Sequence, residues 1–179
     1  MESGAPVLEA GLQRLDTLIR VLRLQGRSGE GFETVPVDLI ELLESNLLLL
    51  HHDTKQGITV ERRFAVRPSV PGNAVFLGQA FLNLMRNAVQ AMQGTGTLVL
   101  EVRERAGQAE VEVRDTGPGI PEEVLGKLFR CDVTTKCPEE GTGIGLLNTW
   151  RIIAKHGGTI VATNGPDGGA VFTVTLPLS

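Results

Sequence analysis

Residues 76–92 carry the pattern that most restricts what this chain can become. Leu77, Phe81, Leu84, Ala88 and Met92 recur every three or four residues, the period of one helical face. Gln79, Asn83 and Asn87 follow one another at a spacing of four, with Gln90 three further on, so the amides share a second face turned away from Leu77 and Phe81. A helix of this kind must bury its apolar face on another layer. That layer is legible just downstream. Leu98, Leu100 and Val102 alternate with Val99, Glu101 and Arg103, and Val111 and Val113 alternate with Glu110, Glu112 and Arg114. Their connection near Ala106–Gln108 contains a glycine, which predicts a hairpin.

The flanking segments fit the same picture. Asp38 is placed to cap a helix running to about His52, with Glu41 completing a capping-box pattern and Leu39, Leu42, Leu43 and Leu47 facing inward. Ile58–Phe64 reads as a strand despite the interruption at Arg62, and Pro68–Gly72 reads as a break. Gly94 and Gly96 end the central helix. A short helix is expected over Glu122–Leu128, an irregular loop over Arg130–Glu140, and a helix over about Gly143–His156 carrying Leu146, Leu147, Trp150, Ile153 and Ala154 inward. Two strands, Thr159–Thr163 and Ala170–Leu176, close the chain around a turn at Asn164–Gly169. Hairpins instead of regular βαβ alternation predict an α+β, two-layer sandwich, with helices on one face of a mixed, mostly antiparallel sheet.

The N-terminus differs. Leu8, Leu12, Leu15, Ile19 and Leu22 form a short a/d seam, which serves equally a helix packed on its own domain or a dimer. Gly26–Gly31 then reads as a linker. The chain therefore divides into a helical stub plus linker, 1–31, and a globular domain, 32–179.

Composition removes some functions. The net charge is −4, and aromatic residues make up 4% with no Tyr, so neither a phosphate-tracking basic surface nor a base-stacking platform is expected. Cys131 and Cys137 have no ligand partners nearby and read as free thiols of a reducing compartment. Met1–Pro6 lacks a signal-peptide pattern, and no apolar run is long enough to span a bilayer. A cytoplasmic chain without nucleic-acid or membrane contact is expected, any anchor lying in a parent protein.

Four constellations carry chemistry, and each has a plain alternative. The amide row, flanked by Arg86, could offer neutral oxygen ligands to Mg²⁺, or could be a solvated face. Asp115-Thr116-Gly117-Pro118-Gly119-Ile120 follows a strand. Its carboxylate could accept from an exocyclic amine such as that of adenine. It could equally be an ordinary turn, or half of a two-carboxylate aspartic protease site needing a symmetric dimer. Gly141-Thr142-Gly143-Ile144-Gly145-Leu146 runs loop into helix and suits a phosphate site. A bare glycine hinge is the alternative, whereas the dinucleotide and Walker patterns do not fit. Thr134-Thr135-Lys136 puts a lysine near that site, either for a terminal phosphate or simply solvated.

In this order and spacing the four boxes resemble those of the gyrase, chaperone, histidine kinase and mismatch-repair ATPase superfamily, with its Bergerat nucleotide fold. The nearest resemblance is to the ATP-binding catalytic domain of sensor histidine kinases. The asparagine box is Asn83-Leu84-Met85-Arg86-Asn87-Ala88, and the glycine boxes are 115–119 and 141–146. The phenylalanine box runs from Leu128-Phe129 through Thr134-Thr135-Lys136. The ending, Lys155-His156-Gly157-Gly158 and then 172–177, is also similar. The resemblance covers about residues 36–178. The short lid after Thr-Thr-Lys is similar to that of the nitrogen-regulation and dicarboxylate-sensor branch, and the N-terminal helix resembles the end of a dimerisation-domain helix.

That resemblance implies ATP and Mg²⁺ as cofactors. Asn87 would coordinate the metal, with Asn83 and Gln90 beside the phosphates. Asp115 would bind the adenine amine, helped by the backbone at Gly117 and Gly119, with Ile120 lining the pocket. Thr134, Thr135 and Lys136 would form the lid, Lys136 reaching the γ-phosphate. Gly141, Thr142, Gly143, Ile144, Gly145 and Leu146 would cradle phosphate. The reaction would be γ-phosphoryl transfer to histidine, with a phosphoacceptor dimerisation domain and a response regulator as partners. Three departures stand out. Gln90 replaces a residue that is basic in many members, Asp132 and Val133 replace an aromatic pair, and none of His51, His52 and His156 lies on a dimerisation helix. A fragment or split kinase is implied, binding ATP without phosphorylating itself. A regulatory module with a degenerate pocket, or an anti-sigma-factor-type serine kinase, is the alternative.

Overall fold

The structure is a computed structural model and describes residues 33–54, 57–126, 128–129 and 143–179. The Leu8–Leu22 seam, Cys131, Asp132, Val133, Thr134, Thr135, Lys136, Cys137, Gly141, Thr142 and the side chain of Ile144 lie outside the described residues.

Elements run in the order β1 (Val35–Asp38), α1 (Leu39–Leu49), α2 (His51–Thr54), β2 (Ile58–Phe64), β3 (Ser69–Gly72) and α3 (Ala74–Ala91). They continue with β4 (Gly96–Arg105), β5 (Gln108–Arg114), α4 (Glu122–Leu125), α5 (Gly143–Lys155), β6 (Thr159–Asn164) and β7 (Ala170–Pro177). The main sheet has the order β2-β4-β5-β7-β6, parallel only between β2 and β4. This is the expected α+β sandwich. Leu98, Leu100, Val102, Val111, Val113, Phe172 and Val174 point from the sheet into a core shared with Leu39, Leu43, Leu77, Phe81, Leu84 and Ile153 of α1, α3 and α5. Each of these side chains stabilises the fold by roughly 1.5–3 kcal/mol of apolar burial. The alternating residues of β4 and β5 face the other way. There Arg103 bridges Glu101, Glu110 and Glu112, and Arg114 pairs with Glu112. Among the described residues the helices cover one face of the sheet, the face that the period of two makes apolar.

Local chemistry sets the ends. Asp38 Oδ1 accepts from the N–H groups of Ile40 and Glu41 at 2.9 and 3.1 Å, capping α1 as expected. Glu41 makes no return bond among the described residues; Arg67 binds the other Asp38 oxygen instead. The helix stops at Leu49 and the chain makes a separate turn over His51–Thr54. Asn73 caps α3, so that helix begins two residues earlier than its apolar period suggests. Ala106 and Gly107 both adopt positive φ, 51° and 75°, which is the two-residue hairpin geometry whose twist matches the strands.

Three further expectations need correction. Pro68–Gly72 is more than a break: Ser69–Gly72 pairs antiparallel with Val35–Asp38 in a two-stranded sheet. Pro71 is tolerated because this strand is an edge. The short helix ends at Leu125, where Gly126 caps it. And α5 is rotated from the face its apolar residues suggest. Leu146, Ile152, Ile153, Asn148, Thr149 and His156 are buried, whereas Trp150 is 42% exposed and Ala154 faces solvent. Hydrogen bonds satisfy Thr149 and His156 internally, so polar residues take positions that hydropathy alone would assign to tryptophan.

Candidate functional site

A cavity of about 390 Å³ opens between α3, the end of β5, the loop after it, and α5. Asn87, Gln90 and Ala91 line it from α3, Asp115, Gly119, Ile120 and Pro121 from the loop, Val124 and Leu128 from the outer wall, and Leu146, Ala170 and Phe172 from α5 and β7. Six residues singled out from sequence therefore meet there: Asn87, Gln90, Asp115, Gly119, Ile120 and Leu146.

Asp115 is 2% exposed. Strand pairing holds it, since β5 runs antiparallel to β7 and the Asp115 N–H donates to Ala170 O at 3.0 Å. Its Oδ1 accepts from the N–H of Gly117 at 2.8 Å and of Ala170 at 3.2 Å. Oδ2 takes no hydrogen bond among the described residues, and it is not sealed off, so it faces the cavity as a bare acceptor. Burial pushes the carboxyl above its ordinary value, and the two N–H bonds oppose that only in part.

The backbone around Asp115 leaves no room for side chains. A Cβ on Gly169, at φ +76°, would lie 1.9 Å from the Asp115 carbonyl oxygen. A Cβ on Gly117 would lie 2.9 Å from Asp115 Oδ1. Gly119, at φ +79°, abuts Asn164 Oδ1. Asn164 clamps the next residue from both sides: Ile120 N–H donates to Oδ1 and Nδ2 donates to Ile120 O, both at 2.8 Å. Thr116 Oγ1 accepts from Thr97 N–H at 2.9 Å and fixes the start of the loop to β4. The loop is thus a rigid cradle.

On α3 the amide row divides. Asn87 and Gln90 line the cavity. Asn83, one turn earlier, donates from Nδ2 to Thr149 Oγ1 at 3.0 Å. Gly145 lies beneath it, since a Cβ there would be 2.7 Å from Asn83 Oδ1. Gly143 opens α5, so the first-turn N–H groups of that helix carry partial positive charge near the row. Gln79 and Arg86 are half-buried on the same helix and do not line the cavity. At the far end His156 Nδ1–H donates to Ile152 O at 2.7 Å, and its Nε2 accepts from Asn73 N–H at 3.0 Å. That imidazole must be neutral, and burial lowers its pKa accordingly.

Sequence reading missed Asn164, Thr149, Gly169 and the Asn73–His156 contact. Asn164 and Gly169 read only as turn residues, and Thr149 falls unremarked inside the helix expected over about Gly143–His156. The cavity thus brings together a buried carboxylate with one oxygen free of hydrogen bonds among the described residues, part of an amide row, and the first turns of a glycine-opened helix.

Residues 72–179 match the family described as histidine kinase-, DNA gyrase B-, and HSP90-like ATPase, and the chain belongs to that family. Within it, the domain is of the histidine kinase catalytic type. The catalytic domain of histidine kinase ThkA is 30% identical and superposes with a TM-score of 0.71, covering 81% of this chain and 95% of that one. Histidine kinase ThkA in complex with response regulator protein TrrA superposes with a TM-score of 0.77 at 25% identity, covering 97% of this chain and 50% of that one. The C4-dicarboxylate transport sensor protein DctB of Rhizobium meliloti is 34% identical over 185 residues, covering 98% of this chain and 28% of its own length. The chain spans less than a third of the length of the first curated relatives it matches. Among the described residues no helix is long and apolar enough to cross a membrane.

Proposed function

We propose that residues 32–179 bind ATP as its magnesium complex in this cavity and pass the γ-phosphoryl group to a histidine on a dimerisation domain, in cis in a parent chain or in trans. Asp115 carries the reading. A buried carboxylate with Oδ1 committed to two N–H groups and Oδ2 bare in a cavity is matched to an exocyclic amine. Ile120, Leu146 and Phe172 supply apolar walls for a flat ring.

The other end suits phosphates. Asn87 offers a neutral, hard carboxamide oxygen to Mg²⁺, with Asn83 beside it and Gln90 at the cavity edge. Among the described residues no group of three or more His, Cys, Asp and Glu could hold a metal alone. A magnesium ion held by one carboxamide together with phosphate oxygens and water fits such a site. When bound it would neutralise charge on the phosphoryl group during transfer. Gly143 and Gly145 bring bare N–H groups near the phosphates, and Gly117 and Gly119 let the backbone approach the ring. Lid and cradle roles for Thr134, Thr135, Lys136, Gly141, Thr142 and Ile144 follow from the family pattern, with Lys136 at the γ-phosphate. Transfer then depends on positioning and charge neutralisation by these groups.

The partners proposed are a phosphoacceptor dimerisation domain and, downstream, a response regulator. The solved complex of ThkA with TrrA supports the second. Residues 1–31 are proposed as the end of a dimerisation helix plus linker, able to pair through Leu8–Leu22, in a cytoplasmic setting. Mixing the chain with a phosphoacceptor-bearing dimerisation domain, Mg²⁺ and γ-labelled ATP tests the whole reading. Acid-labile label on histidine is expected. Bound ATP with no label on histidine would refute the kinase assignment.

A further inference from the structure

α3 and α5 pack side by side, and a buried polar relay crosses the seam between them. Thr149 is 1% exposed. Its hydroxyl donates to Gly145 O at 3.0 Å and accepts from Asn83 Nδ2 at 3.0 Å. A carbonyl oxygen can only accept, so the single hydroxyl proton is committed to Gly145. Oγ1 then has only lone pairs left for Asn83. Asn83 must turn its NH₂ toward Thr149, which points Oδ1 elsewhere. That oxygen takes no hydrogen bond among the described residues and is not sealed from solvent. The amide rests on Gly145, where a Cβ would come within 2.7 Å of Oδ1 and 3.2 Å of Cγ. Asn83 is therefore gripped by Thr149 and seated on the first turn of α5, one helical turn before Asn87.

We propose that Thr149 is a positioning residue: its hydroxyl relay fixes the Asn83 carboxamide with Nδ2 on Thr149 and Oδ1 over Gly145, one helical turn before Asn87, and ties that orientation to the helical state of residues 145–149. The inference rests on the reading of the cavity as a magnesium–nucleotide site. With the relay intact, Asn83 keeps an acceptor oxygen, unpaired among the described residues, over the first turn of α5, one helical turn before Asn87, which suits a hydrated cation and repels bare phosphate. Unwinding the first turn of α5 separates Gly145 O from Thr149. The hydroxyl proton is then free, Asn83 can flip, and its NH₂ faces the site instead. Asn83 thereby reports whether the glycine-opened turn is formed.

The test compares Thr149→Val, which keeps the shape and removes the hydroxyl, with Thr149→Ser, which keeps the hydroxyl. A fluorescent ATP analogue is bound to the full chain across an Mg²⁺ titration and again in chelator. Thr149→Val is expected to need about tenfold more Mg²⁺ for half-saturation, a loss of about 1.4 kcal/mol. Thr149→Ser stays within about twofold, the margin set by an intact hydrogen bond. All three proteins bind metal-free analogue alike, since Asp115 is untouched. A Thr149→Val chain that titrates like wild type, or a Thr149→Ser chain that fails as Thr149→Val does, overturns the proposal. Wild-type chain binding no analogue at all overturns the reading of the cavity instead. Should Thr149→Val not fold, amide exchange in wild type decides: the Asn83 side-chain NH₂ should exchange with water more slowly than that of exposed Gln90, and equal rates would overturn the relay.

Discussion

Replacing Asp115 with Asn changes one atom at the cavity wall and leaves shape alone. Oδ1 can keep its two N–H donors, at 2.8 Å from Gly117 and 3.2 Å from Ala170, only if the new NH₂ group takes the place of Oδ2. That group then meets the adenine amine donor to donor. The reverse rotamer would set NH₂ against two backbone N–H groups, which is worse. Losing a hydrogen bond to a charged acceptor costs about 1.5–3 kcal/mol, and facing two donors adds desolvation without return. About 3 kcal/mol is therefore expected, a little over a hundredfold in Kd. Isothermal titration with an ATP analogue and Mg²⁺ reads it directly. Stability should move the other way. Burial raises the carboxyl's pKa, so the native state holds its proton more tightly than the unfolded chain. The resulting stability is full below the unfolded value of about 4 and is lost as pH rises through the raised folded value. Asp115→Asn carries no charge to bury, so once that stability is lost at higher pH the variant should melt no lower than wild type. A variant that binds within threefold of wild type, or binds poorly only because it has unfolded, would refute the reasoning.

Asn164→Ala removes both hydrogen bonds that hold the Ile120 backbone, so analogue affinity should fall about tenfold through loss of loop order, while the melting curve shifts little; unchanged affinity would exclude the clamp. Gly169→Ala forces a Cβ to 1.9 Å from the Asp115 carbonyl and should cost roughly 3 kcal/mol or more in urea unfolding. Gly168→Ala, with φ of +91° and open space around it, should cost only about 1 kcal/mol, so equal losses would contradict the packing. His156 accepts from Asn73 only when neutral, and its folded pKa lies below the unfolded value of about 6.5. Its contribution is complete above that value and is lost as pH falls toward the folded one. Melting temperature should therefore drop on acidification below about 6.5, and His156→Gln should flatten that part of the profile.

Local pattern was enough for much of this protein. The 3.6-residue period of Leu77, Phe81, Leu84 and Ala88 and the period-two runs of β4 and β5 identify their elements because each pattern lies within a few turns or residues of itself. The alternation also separates the core face of the sheet from the charged face of Arg103 and Glu112. The amide row, the Asp115 loop and the glycine-opened helix were visible as residue types in order. The missed contacts span long separations: Asn164 to Ile120 over 44 residues, Ala170 to Asp115 over 55, and Asn83 to Thr149 over 66. They exist only after β5 and β7 fix their register and α3 settles on α5. The same closure turned α5, burying Asn148 and Thr149 and leaving Trp150 and Ala154 outside. A sequence states how apolar a side chain is, but which polar atom will find a partner inside is decided when distant backbone segments meet, since burial of a polar group is tolerated only where that partner is waiting.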